Sequence, residues 1–389
     1  QTLIEVLVSE LNKENLQDFQ DGDQNFLDVD DWPGIEVDAS GSIEILDLSY
    51  GEDEEKPENQ GTIQLEWVPA SVLEIRIAYR GFEGKLNCEK LPRGLLVFDA
   101  VANRLNGTLN FRDLPKGLEI FEVGENDFHG TVTLESLPET LEIINLYKNH
   151  FCGSITTSVL PANLQLFFVG DNPSLDGSID SSCLPHNLEE FFAENNGHTG
   201  SIDLKNLPRV MINFSVSENN ISGSICLNSL PEGLYELGLS GNSLSGTIDL
   251  TRLPNHMERL YCQRNKFTGE LDLTMLPDTM ELLSLCKNNF SGPVDLTRLP
   301  PYLEELYLHK NALVGDLNLS VLPEILREIW ISHNNFDGTL TLGKIPDSIG
   351  KIKIKNNQLK KDIIFSGVDE SYYNEIFNEK NAENAFAKE

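Results

Sequence analysis

The stretch "LEELYLHKNALVGDLNLSVLP", Leu303 to Pro323, holds the landmarks that decide the fold. A Leu-Pro pair or a close substitute recurs at Val68, Leu91, Leu114, Leu137, Leu160, Leu184, Leu207, Leu230, Leu253, Leu276, Leu299, Leu322 and Ile345. Each step is 23 residues except Leu160 to Leu184, which is 24. A compact globular domain does not keep one period over so much chain. A solenoid does, because each coil contacts only its neighbours.

Each fixed position has a physical task. Leu303, Leu306 and Leu308 have the spacing L-x-x-L-x-L, and the last pair alternates as in a strand, so Leu308 and its counterparts Val123, Leu146, Val216 and Ile331 face inward. Asn311 follows, matched in every later or earlier unit from Asn103 to Asn357, with Arg80 standing in the first. A polar side chain that recurs beside the core must be hydrogen-bonded, most simply to backbone groups of the adjacent turn. Gly315 has counterparts from Gly84 to Gly338, a position that calls for positive φ or close backbone approach. A second alternating segment follows it, "DLNL" here and "TIDL" or "SIDL" in sister units, and Leu-Pro ends that strand. The expected coil has an inner strand, a turn, a short outer strand after the glycine, and a proline-directed return.

These residues carry a family likeness. "LEELYLHKNALVGDL" and "LYELGLSGNSLSGTI" resemble the leucine-rich repeat family, in its plant-type form L-x-x-L-x-L-x-x-N-x-L-x-G-x-I, over about residues 43 to 361. "DDWPGIEVDASGSIEILDLS" is similar to the N-terminal cap of that form, where Trp-x-Gly leads into the first repeat. Cap cysteines are absent, and the "IP" of plant repeats is replaced by "IDLxxLP", which resembles repeats of protist surface proteins. The resemblance implies a right-handed horseshoe or superhelix with a concave parallel β-sheet, and a role in binding a ligand or protein.

The expected organisation is an N-terminal cap with a helix (1–42), the solenoid (43–361) and a C-terminal capping helix (362–389). Leu3, Leu7 and Leu11 space as one helical face within residues 1–20, and Tyr373, Ile376 and Phe377 lie in the second helix, started by Asp369. The acidic insert "GEDEEKPENQG" (51–61) interrupts the first unit and reads as a mobile loop. The start "TLIEVLVSEL" carries Glu5 and Glu10 and no basic flank, unlike a cleavable signal; mature product and excerpt both fit. No apolar run approaches the ~18 residues of a membrane-spanning helix.

With 29 Lys and Arg against 62 Asp and Glu, the formal charge is −33. That field repels phosphate backbones and anionic membranes, so no nucleic-acid partner is expected. Cationic partners are favoured. The sequence has no H-E-x-x-H, no G-x-S-x-G and no phosphate-cradling glycine loop, so the expectation is a non-catalytic protein without cofactor.

Function must then sit at the free positions. The residue matching Tyr307 is aromatic in five units, Phe168, Phe192, Tyr261, Tyr307 and Trp330, on the side of the strand that faces away from the core. Strands ~4.8 Å apart turn such residues into patches, which read either as binding anchors or as cross-strand packing. Glu258, Glu281 and Glu304 form a row at one strand end, with Glu305 and Glu328 nearby, and Arg264, Lys287 and Lys310 form a row at the other. Both rows read as self-repelling and suited to polarised recognition, or as a salt-screened surface.

Three acidic or histidine sets bear on metals. Asp180, Asp203, Asp249, Asp272 and Asp295 share one position, "DGDQNFLDVDD" (Asp21 to Asp31) begins like a Ca²⁺ loop, and His309 neighbours His333. Phe26 replaces the turn glycine of the loop, Trp32 replaces its final Glu, and the histidines lack an evident third ligand; no metal site is assigned. Cys88, Cys152, Cys183, Cys226, Cys262 and Cys286 fall at six different offsets, which suggests six free and mostly buried thiols and a reducing compartment. Five sequons, Asn106, Asn213, Asn220, Asn289 and Asn318, point instead to glycosylation.

The leading reading is a cell-surface or secreted adhesion module that binds protein, peptide or glycan on its concave face, the partner presenting a basic side. Alternatives are a self-assembling subunit of an extracellular or ciliary structure, and a cytoplasmic scaffold.

Overall fold

The computed structural model describes residues 1–51 and 59–368. The chain is a β-solenoid in two compact units, Gln1–His198 and Thr199–Glu389. The expected C-terminal helix from Asp369, with Tyr373, Ile376 and Phe377, lies outside the described residues, as do residues 52–58 of the acidic insert.

Three-residue strands build the main sheet of each unit. In the first unit it opens with the antiparallel pair Ile35–Val37 and Ile43–Asp47 and continues in parallel from Glu74–Arg76 to Glu190–Phe192. In the second it runs in parallel from Asn213–Ser215 to Lys351–Lys353. The middle residue of each strand points into the core: Phe98, Phe121, Ile144, Phe167, Phe191, Leu260, Leu283 and Leu306 are all fully buried. Its two neighbours point outward, as the period of two requires.

The asparagines form the ladder that the sequence suggests. Asn126 Oδ1 accepts from the Leu105 N–H of the preceding coil at 2.9 Å, and its Nδ2 donates to the carbonyls of Ala100, Val123 and Gly124 at 2.8–3.2 Å. Asn242 repeats the pattern on Ile221, Val216, Leu239 and Ser240. The turn has no strand partner, so one amide side chain satisfies backbone groups of two coils. Where the period lengthens to 24, Pro173 follows Asn172, and Asn196 Oδ1 takes the Asn172 N–H itself at 2.8 Å. The residue before each ladder asparagine is left-handed whether or not it is glycine, for example Arg264, Lys287 and Lys310 at φ 58°, 55° and 57°.

The second strand departs from expectation. In most coils it runs up to and through the glycine rather than after it, as in Asp127–Thr131, Ser174–Ser178, Lys266–Gly269 and Asn289–Gly292. The ladder explains this: the amide that pairs with the next coil's asparagine sits where the strand begins, so order starts there. At Gly269, with φ 92°, an added Cβ would meet Thr247 Cγ2 at 2.8 Å, so the close approach requires glycine. The "IDL" segment mostly feeds inward residues into a turn, which in the first unit is 3₁₀ (Phe111–Asp113, Leu134–Ser136). It pairs as a separate strand in late coils, at Leu317–Leu319 and Leu340–Leu342, and in the first unit His150–Thr156 runs on through it.

The N-terminal cap also differs. Two short helices, Thr2–Val8 and Lys13–Leu16, flank a strand, Glu10–Leu11, that pairs antiparallel with Gly61–Thr62 and covers the edge of the outer sheet. Ile4, Leu7, Val8 and Leu11 are buried, whereas Leu3 is 44% exposed. Arg80 takes the ladder position in the first coil because its length reaches the cap. It donates to Leu48 O at 2.7 Å and Asn15 Oδ1 at 2.9 Å, with its guanidinium 4.0 Å from the Tyr50 ring centre.

Cys88, Cys262 and Cys286 are buried, Cys152 and Cys226 half-buried and Cys183 exposed, and all six are unpaired. Burial is thus less general than their apolar character suggests. It pushes the Cys88 thiol up to about 11 and the Cys262 thiol to about 12.

Candidate ligand-binding face

Each main-sheet strand shows two outward columns. The register confirms that Tyr261, Ser284, Tyr307, Trp330 and Lys353 lie side by side, and beside them Arg259, Leu282, Glu305, Glu328 and Lys351. Tyr307 packs edge-on against Trp330, ring centres 5.2 Å apart, and the His309 ring lies 5.3 Å from Trp330. Tyr261 stands apart from this pair because the Ser284 strand separates them. In the first unit Phe168 and Phe192 touch, with centres 5.4 Å apart.

Trp330 is not a bare anchor. Lys353 Nζ sits 3.4 Å and Lys351 Nζ 5.1 Å from its ring centre, so a cation already covers the π-face. Its indole Nε1 is buried with no hydrogen-bond partner. His309 is held neutral: burial, then Lys287, Lys310, Lys353 and His333, lower its pKa to about 4.

The charged rows are not self-repelling in the way their spacing suggests. Arg259 reaches Glu281 at 3.3 Å, Arg327 reaches Glu304 at 3.0 Å, and Tyr235 hydrogen-bonds Glu258. Across the face, Arg264 meets Glu218 at 3.0 Å, while Lys287 and Lys310 are exposed at their left-handed turns. Arg327 continues the glutamate row one coil further on and Arg264 lies two coils from Glu218 in its own row, whereas Arg259 reaches Glu281 from the adjacent outward column.

The acidic focus lies instead on Glu305 and Glu328. Tyr307 Oη is 2.7 Å from Glu305 Oε2 and 3.0 Å from Glu328 Oε2. A phenol has one proton and can donate to one of them at a time. Burial and then these two carboxylates push the Tyr307 pKa up, so it remains a donor. Among the described residues no basic side chain forms an ion pair with either glutamate. Alternation places the residue two before Tyr307, and its counterpart two before Trp330, on this face, so both glutamates were legible there.

The remaining candidates find local roles. Asp249 Oδ1 accepts the Thr251 N–H at 2.9 Å and its hydroxyl at 2.6 Å; Asp272 with Thr274, Asp295 with Thr297 and Asp180 with Ser182 repeat this turn. Asp203 accepts from the Lys205 N–H. Asp21 closes a similar turn on Asp23 and Asn25, and Trp32 packs on Phe19 and Phe26. His333 pairs with Asn356 Nδ2 at 2.8 Å. Among the described residues no group of three or more His, Cys, Asp or Glu is arranged to hold a metal ion. Of the sequons, Asn106, Asn220 and Asn289 are exposed, while Asn213 and Asn318 are half-buried.

The stacked strands and asparagine ladder define the class: the chain has a leucine-rich-repeat fold. Among solved structures it is similar to a TDR receptor, at 22% identity over 78% of this chain and 69% of that one, with a TM-score of 0.53. It is also similar to the plant peptide hormone receptor RGFR1 in complex with RGF2 (18% identity, 82% and 68% covered, TM-score 0.48) and to YopM from Yersinia enterocolitica (20%, 78% and 77%, 0.42). No protein-family model and no curated protein matches the sequence.

Proposed function

We propose that the chain is a non-catalytic recognition module that binds a protein or peptide ligand through the outward face of the second unit's main sheet, with a basic group of the ligand seated at Tyr307, Glu305 and Glu328. The observation that carries this reading is one phenolic proton shared between two carboxylates that have no basic partner among the described residues. A guanidinium, with several donors in a planar fork, would satisfy both. Trp330 walls the seat on one side, with Tyr261 two strands away on the other, and a ligand cation would compete with Lys353 for the Trp330 face. Glu258, Glu281 and Glu304 orient the approach of a basic partner, tempered by Arg259 and Arg327.

The exposed sequons Asn106, Asn220 and Asn289 support a cell-surface or secreted location, which glycan mass spectrometry on the protein from its native source tests. Binding is tested with an immobilised array of arginine-containing peptides and their citrulline counterparts. Tyr307→Phe and Glu305→Gln should each weaken capture of the arginine peptides about tenfold or more, in the range of interface hot spots. Asp249→Ala and Asp272→Ala, in the turns after the second strand, should leave capture intact. Loss of binding in the aspartate variants with no effect at Tyr307 or Glu305 would move the binding surface off this face.

A further inference from the structure

We propose that the first unit carries a second, chemically different recognition surface, and that its ligand is a cationic amphipathic helical peptide. The surface is a stripe of outward side chains, Ile120, Ile143 and Leu166, on successive parallel strands in direct register. All three are half-exposed, and the touching Phe168 and Phe192 rings extend the stripe in the neighbouring column.

Sheet packing does not require apolar residues there. The same column in the second unit holds Asn213, Glu236, Arg259, Leu282, Glu305, Glu328 and Lys351, one apolar residue among polar and charged ones, and those strands pair in the same register. An apolar stripe that the framework does not need is a surface kept for contact.

Its borders choose the partner. Glu119 and Glu142 stand at the near end of the strands and Glu122 beside the stripe on the other side. None of the three forms an ion pair with a basic side chain among the described residues; nearby, Lys148 is held by Glu125 at 3.1 Å and Arg76 by Glu74. Burial, then the Asp99 charge, raises the Glu122 pKa, against a hydrogen bond with Asn145 and the Arg76 charge. The complement is apolar in the middle and positive at both edges.

Spacing selects a helix over an extended strand. Strands stand ~4.8 Å apart, close to the ~5.4 Å rise of one helical turn. A helix lying across the strands therefore brings one apolar side chain per turn to Ile120, Ile143 and Leu166, with flanking Lys or Arg over the glutamates. An extended peptide repeats a face only every ~6.6 Å and falls out of step within two strands.

The test uses the full chain and a fluorescent Leu/Lys peptide designed as an amphipathic helix, beside a scrambled peptide of the same composition. Tight binding of the helical peptide is expected, with the scrambled one at least about tenfold weaker; equal binding of the two would reduce the surface to bulk charge and overturn the proposal. Ile143→Thr, a β-branched solvent-facing change, should weaken the helical peptide about tenfold, and Glu119→Gln with Glu142→Gln should weaken it and flatten its salt dependence. Unchanged affinity in both variants, with unchanged melting, sinks the assignment. Tyr307→Phe and Glu305→Gln in the second unit should leave this peptide's affinity unaltered; loss there would place the site in the second unit and leave the arginine-seat reading standing without this one.

Discussion

The two units are built on one framework, and the outward face of the main sheet differs in chemistry between them. In the first, the outward columns pair an apolar stripe, Ile120, Ile143 and Leu166, with Glu122, Asn145 and Phe168. In the second, the apolar group has moved one column over, to Tyr307 and Trp330, and charges of both signs, with Leu282 among them, occupy the column where the stripe had been. Inward positions of the strands stay apolar in both, and the ladder position stays asparagine after Arg80 of the first coil. Core shape and turn satisfaction tolerate few alternatives, whereas an outward position on a half-buried sheet tolerates almost any side chain.

If the framework is truly common, its removal should hurt both units alike. Asn126→Ala and Asn242→Ala each leave several buried backbone groups unpaired, at about 1–3 kcal/mol apiece, and should lower the urea midpoint most of all the changes considered. Asn357, half-buried and bonded to Phe336, Ile331 and Ile354, should cost less. Equal shifts at Asn242 and Asn357 would break the ladder account.

A smaller effect belongs to the second unit alone. Lys353→Ala removes the cation from Trp330, worth ~0.5–2 kcal/mol, and should shift the emission of one tryptophan of the three. If uncovering Trp330 also strengthens capture of arginine peptides, Lys353 is the resident that a ligand displaces.

The first unit ends on an exception to the framework. His198 stands fully buried where other coils place Leu, Ile or Phe, and its pKa is lowered, first by burial. The unfolded chain takes up this proton near the ordinary histidine value while the folded chain resists it. Stability is therefore lost as pH falls below about 6.5, down through the depressed folded value. His198→Leu should narrow the difference in melting temperature between neutral and mildly acidic solution. An unchanged difference would assign the acid sensitivity elsewhere.

The smallest effect is at Glu122, whose raised pKa has the opposite sign. Its ionised form is disfavoured by folding, a deficit absent below the ordinary carboxylate pKa and present as pH rises through the folded one. Glu122→Gln should stabilise slightly at neutral pH and not in acid. The matching change in the second unit, Tyr307→Phe, should show no such acid-side convergence.

The repeat, the inward leucines, the asparagine ladder and the requirement for glycine follow from sequence alone, because each satisfies a local or neighbour-to-neighbour constraint that returns every 23 residues. Aromatic positions on the outward face follow too, since alternation along a strand is unambiguous. Three things did not. The second strand's place depends on where the ladder amide lies, a hydrogen bond between coils. The pairing of Glu281 with Arg259 depends on how a long side chain bends between columns, whereas Arg327, 23 residues after Glu304, could have been read from the period. Lys353 over Trp330, and one phenol between Glu305 and Glu328, depend on rotamers that no periodicity encodes. Spacing along the chain sets which coil and which face a residue occupies; which charges cancel and which stay open is decided by side-chain reach across ~4.8 Å between neighbouring strands, a tertiary quantity.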